Sequence, residues 1–129
     1  MNDEHVDNII TNLKIISKVK VDEKLCIRKG HLQIDNSSNF QFLKRWYYRD
    51  SRDFILLFIK DLVRSISGVF EKKYNVWAIS GVLNEMENAK IGLINLKTTY
   101  STDTIMIAKF EHVASKFCEI MEYGKKIKF

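Results

Sequence analysis

Residues 51–70 read Ser51-Arg52-Asp53-Phe54-Ile55-Leu56-Leu57-Phe58-Ile59-Lys60-Asp61-Leu62-Val63-Arg64-Ser65-Ile66-Ser67-Gly68-Val69-Phe70. Ile55, Phe58, Ile59, Leu62, Ile66, Val69 and Phe70 recur at intervals of three and four, which places them on one side of an α-helix. A strand would alternate. Phe54, Leu56 and Leu57 add apolar surface all round the first turns, so this segment must lie centrally in the fold or in an interface between molecules. Asp50 or Ser51 supplies an N-cap, with Asp53 three residues after Asp50 as in a capping box, and the helix is expected to reach about Tyr74. The uninterrupted apolar run, Phe54 to Ile59, is six residues long and ends at Lys60-Asp61, far short of the roughly 18 that a membrane span needs.

Working outward from this helix, the flanking segments carry the same periodicity. From Asp3 to about Val19, Val6, Ile9, Ile10, Leu13, Ile16 and Val19 form one helical face; Asp3, Glu4 and Asp7 begin it, while Lys18 and Lys20 lie near its end, both favourable to the helix dipole. Leu25, Ile27, Leu32 and Ile34 then alternate with polar residues about Lys29-Gly30, which predicts a β-hairpin that must rest on helices. Ser38 or Asn39 is placed to cap a short aromatic helix from Phe40 to Tyr48. Beyond the central helix, Asn75 caps another, with Ile79, Val82, Leu83, Met86, Leu93, Leu96 and Tyr100 on one face and Gly92 as a tolerated weak point. The stretch Thr98 to Asp103 breaks the pattern. A last helix carries Ile107, Phe110, Ala114, Phe117, Cys118 and Met121, with Gly124 as its C-terminal cap and 125–129 as a flexible basic tail. The expected fold class is mainly α: a helical bundle of about four helices, with a short β-hairpin inserted after the first, in a single domain spanning 1–129.

Composition agrees with that reading. The 129 residues are 46% hydrophobic and 29% charged, which excludes disordered and fibrous classes, and the absence of proline suits long helices. Lys and Arg exceed Asp and Glu by 21 to 16. Ile, Lys and Asn number 16, 16 and 9, against four Ala and five Arg, so part of the lysine excess reflects A/T-rich codons. Two cysteines, Cys26 and Cys118, are too few for a disulfide framework and point to a reducing compartment. The acidic start, Asp3-Glu4-His5, lacks the basic and apolar regions of a secretory leader, so an intracellular or particle-enclosed protein is expected.

Catalytic signals are missing. The only histidines are His5, His31 and His112, none within a nucleophile, metal or phosphate-loop motif, and the five glycines are scattered. Helical spacing brings Glu111, Ser115, Glu119 and Glu122 near His112; a solvated helix face explains this group better than a metal site, for which the spacing is not diagnostic. We therefore expect no catalytic residues, no metal and no cofactor.

The segment Phe40-Gln41-Phe42-Leu43-Lys44-Arg45-Trp46-Tyr47-Tyr48-Arg49-Asp50-Ser51-Arg52 interleaves aromatic and basic side chains, and residues 41–52 carry four bases against one acid. Two uses suit it. Phe42, Trp46 and Tyr47, together with Phe54, Leu57 and Phe58, would anchor a core or a protein interface, for which a homodimer is the simplest assembly. Alternatively, Lys44, Arg45, Tyr48, Arg49 and Arg52, with Lys125, Lys126 and Lys128 of the tail, would hold nucleic acid by stacking and phosphate contacts. The 41–52 segment contributes +3 and 124–129 another +3, which leaves −1 of the net +5 for the rest of the chain.

The order Asn12-Leu13-Lys14-Ile15-Ile16-Ser17, then Glu23-Lys24-Leu25, then Arg45-Trp46-Tyr47-Tyr48 and Ser51-Arg52 before an apolar helix resembles small proteins of giant nucleocytoplasmic DNA viruses of the marseillevirus and mimivirus groups. The match runs from about Leu13 to Phe70. It implies a viral component of the host cytoplasm, the viral factory or the virion, not a secreted one, and it assigns no catalytic residue.

Overall fold

Helical periodicity sets most of the chain. The computed structural model describes residues 4–28, 31–35, 51–72 and 74–127, and the side chains of all of these except 51–53. The described elements are α1 (Glu4–Ser17), β1 (Lys24–Arg28), β2 (His31–Asp35), α2 (Ser51–Glu71), α3 (Val76–Thr99) and α4 (Thr104–Lys125). Among the described residues the protein is thus mainly α, four helices with an antiparallel hairpin after the first, as the periodicity predicts. The short helix expected over Phe40 to Tyr48, its caps Ser38 and Asn39, and the cap Asp50 lie outside the described residues.

The helices form a ring in the order α1, α3, α4, α2, and β2 packs on α1 while β1 packs on α2. Short connections reverse the chain between α2 and α3 and again between α3 and α4, so α2 and α4 run in the same direction side by side. Ion pairs Lys97–Glu111 at 2.8 Å and Lys125–Glu87 at 3.5 Å record the antiparallel run of α3 against α4. The core includes Leu13 and Ile16 of α1, Ile59 and Ile66 of α2, Val82 and Met86 of α3, and Phe110 and Phe117 of α4. Fully burying a side chain such as Phe70, Phe110 or Phe117 contributes about 1.5–3 kcal/mol.

Capping fixes the starts of the last two helices. Asn75 caps α3, its Oδ1 accepting from the Ala78 N–H at 2.9 Å, and Asp103 caps α4 by accepting from Met106 N–H at 3.0 Å. Between them Tyr100 stacks on Phe110 with ring centroids 5.9 Å apart. The hairpin pairs Leu25 with Ile34 and Ile27 with Leu32, leaving residues 29 and 30 between the strands. Buried Asn12 of α1 accepts from the Leu32 N–H at 3.1 Å, which ties β2 to the bundle. At the α1–β1 turn Asp22 has φ 71°, and its N–H donates to Thr99 Oγ1 at 2.9 Å.

Several boundaries and glycine roles differ from the sequence reading. α1 ends at Ser17, whose hydroxyl donates to the Lys14 carbonyl at 2.7 Å, so Lys18 and Lys20 lie beyond it; α2 ends at Glu71, short of Tyr74. Gly124 does not cap α4: it is buried inside the helix, and a Cβ there would lie 2.5 Å from the Phe70 ring and 2.9 Å from Leu83. Gly92 is likewise no weak point, because an added Cβ would stand 1.7 Å from the Ile16 carbonyl oxygen. Both glycines let neighbouring elements approach closely. Cys118, expected on the inner stripe of α4, is exposed, and Met106 and Val113 are buried there instead.

Candidate interaction surface

α3 is apolar on two sides. Its inner side buries Ile79, Val82, Met86, Ala89, Leu93 and Leu96. On its outer side Trp77, Asn84, Ile91 and Thr98 follow one another at intervals of seven, and Ser80, Glu87 and Ile94 each follow three residues after one of the first three. All seven are exposed. At 100° per residue they occupy a stripe roughly 100° wide, apolar at Trp77, Ile91 and Ile94 and polar at the other four. Large apolar groups exposed to this degree, 84% for Trp77, 64% for Ile91 and 62% for Ile94, leave three anchors along one helix.

Only one seam residue is charged. Glu87 pairs with Lys90 at 3.4 Å and with Lys125 at 3.5 Å. Loss of hydration raises its pKa, but Lys125 and Lys90 outweigh that and hold its carboxyl below the ordinary glutamate value. Lys125 also pairs with Glu122 at 3.2 Å, and chiefly through that hydrogen bond its ammonium is held above the ordinary lysine value.

The interface residues expected from sequence divide by position. Phe54 and Leu57, on the outer side of the first turns of α2, are 49% and 54% exposed, while Phe58 is half-buried against the core. Ile55, Leu56 and Ile59 face inward, which accounts for the apolar surface on every side of this segment. Phe42, Trp46 and Tyr47 lie outside the described residues, as do Lys44, Arg45, Tyr48, Arg49 and Lys128; Arg52 belongs to the first turn of α2, but its side chain is not described. Lys125 is the last residue of α4 and engages two carboxylates, Lys126 follows as the exposed C-cap, and half-buried Ile127 packs on the core.

Along α4, Glu111 pairs with Lys97, Glu119 with Lys116 at 3.6 Å, and Glu122 with Lys125, so the carboxylates near His112 form a solvated, ion-paired face. Among the described residues no group of three or more His, Cys, Asp or Glu is disposed to hold a metal ion, and no helix is long and apolar enough to cross a membrane. Cys26 is partly buried; desolvation, reinforced by Asp35 and opposed by Arg28, pushes its thiol above the ordinary value, which disfavours the reactive thiolate.

Sequence reasoning missed Trp77, Ile91 and Ile94. The signal was present: all three fall outside the arc drawn by Ile79 through Tyr100, and an amphipathic helix with one partner would carry polar residues there. No protein-family model, curated protein or solved structure matches the chain.

Proposed function

We propose that this is a non-enzymatic helical interaction protein that works as a homodimer, with the outer seam of α3 as its principal contact and Phe54 and Leu57 as a second apolar contact. The observation that carries the reading is the exposure of Trp77, Ile91 and Ile94 on the outer side of α3, positions that a two-fold axis brings into mutual contact. In an antiparallel pair, Trp77 faces the partner's Ile94, Ser80 the partner's Ile91, and Asn84 the partner's Glu87, each contact occurring twice by symmetry. Large side chains meet apolar or small ones, and the Asn84 amide donates to a carboxylate at the centre, where a polar residue specifies register. The resemblance to giant-virus proteins and the Ile-, Lys- and Asn-rich composition support a viral setting for this role.

Light scattering after size exclusion at tens of micromolar tests it. Twice the 15.2 kDa chain mass is the expected result, and a monomer overturns the reading. Ile91→Lys with Ile94→Lys should give a folded monomer; if it remains dimeric while Phe54→Lys with Leu57→Lys does not, the contact belongs to α2 rather than α3.

Nucleic-acid binding through Lys44, Arg45, Arg49 and Arg52 is the second reading, supported by the local charge of residues 41–52. Arg45→Ala with Arg49→Ala should then weaken DNA or RNA binding, and unchanged affinity removes it.

A further inference from the structure

α2 and α4 run parallel and side by side, and they leave a surface groove of about 480 Å³ between them. Close packing of Gly124 on Phe70 fixes their register and puts the Lys60–Arg64 turn of α2 within about half a turn of the His112–Lys116 turn of α4. Four basic side chains, two from each helix, therefore line one level of the groove, with Val63 and Val113 between them at its floor. Within each helix the two are one turn apart, about 6 Å, and packed helices lie about 8–10 Å apart. All four can reach one point above the valines.

The valine side chains offer no hydrogen-bond acceptor, and little else holds these basic groups. Among the described residues Lys60 and His112 have no ion-pair partner. Arg64 reaches Asp61 at 3.5 Å with both side chains more than 70% exposed, and Lys116 reaches Glu119 at 3.6 Å with both more than half exposed. Exposed pairs of this kind contribute little and yield to a better-placed anion. Asp61 does not line the groove, so at this level three permanent cations and an imidazole face a single competing carboxylate, Glu119. A carboxylate ligand has two oxygens, which the Arg64 fork alone can satisfy. A terminal phosphoryl group has three oxygens and up to two charges, and it uses donors from both helices at once. Farther along the groove Glu119 and Glu71 would repel a continuing run of phosphates, so one phosphoryl group fits and a nucleic-acid backbone does not.

We propose that this level of the α2–α4 groove is a site for one phosphoryl group carried by a small soluble phosphate ester, held by Lys60 and Arg64 from α2 and by Lys116 and the His112 imidazole from α4. Binding releases Asp61 and Glu119 to water and gives Arg64 and Lys116 the phosphoryl oxygens in their place. No residue of the site belongs to the α3 contact, so the two readings fail separately.

NMR titration of the full chain with glycerol 3-phosphate, at an ionic strength held constant with chloride, tests the proposal through the Val63 and Val113 methyl signals. Saturable shifts at one ester per chain are expected, with inorganic phosphate competing for the same site. Lys60→Gln with Lys116→Gln should weaken binding about fivefold, and Glu119→Gln, which removes the competing carboxylate, should tighten it about threefold. Lys18→Gln with Lys72→Gln, the same loss of charge at exposed positions away from the groove, should leave it unchanged. Shifts that rise without saturation, equal weakening by both lysine pairs, no tightening on Glu119→Gln, or binding confined to RNA or to anionic vesicles overturns the assignment.

Discussion

Gly92 stands where α3 crosses α1, and its missing side chain is what allows the crossing. A Cβ at 1.7 Å from the Ile16 carbonyl oxygen meets backbone, which cannot rotate away, whereas Gly68 has nothing within 4 Å of the same atom. Two alanine substitutions should therefore act in opposite directions. Gly92→Ala is expected to cost about 3 kcal/mol or more, beyond the usual range for overpacking, while Gly68→Ala should add about 0.5–1 kcal/mol from helix propensity. Urea unfolding of the two variants measures both. Asn12 invites a comparable test. Removing its carboxamide in Asn12→Ala strands the buried Leu32 N–H and should cost about 1–3 kcal/mol. Neither role was legible in the sequence, because propensity treats a helical glycine as a local defect and gives no sign of the backbone that approaches it. Val6, Ile9, Leu13 and Ile16 were legible, since burial of a periodic stripe requires no knowledge of the partner.

At the level of single elements, one cap was legible and one was not: Asp103, which caps α4, reads in sequence only as part of a break in the pattern, and helix ends were misread where a neighbour decides. Asn75 was identified as the cap of α3, and Asn75→Ala should lower stability by about 1 kcal/mol in denaturant unfolding. The end of α4 was misplaced, because Phe70 and Leu83 hold Gly124 inside a helix that a local rule would stop. The same end shows a pH dependence. Glu87 has a lowered folded pKa, so its contribution is present above the unfolded value and is lost as pH falls through the folded one. Lys125 has a raised folded pKa, so its contribution is present below the unfolded value and is lost as pH rises through the folded one. Glu87→Gln is thus expected to flatten the acid limb of a stability–pH curve while leaving the alkaline contribution of Lys125 with Glu122.

For the molecule as a whole, four periodic stripes and one alternating pair were enough to give the architecture, but not to separate surfaces that remain free from those that are covered. Ile91 and Ile94 fall outside the inner arc of α3 in sequence, but only the packing of α3 on α1 and α4 shows that no described element covers them. An apolar seam also responds to salt differently from a phosphate-binding surface. Raising salt from about 0.05 to 0.5 M contracts the screening length without weakening apolar contact, so the dimer fraction measured by sedimentation should hold. Nucleic-acid affinity would fall steeply over that range. Gly92 and Gly124 have a consequence for divergence as well. Glycine codons are rich in G and C, and a genome drifting toward A and T tends to lose them, yet at Gly92 a side chain would meet backbone and at Gly124 it would have to displace the Phe70 ring and Leu83. Remote descendants of this chain should therefore keep a glycine at each crossing after the surrounding isoleucines, lysines and asparagines have been exchanged beyond alignment.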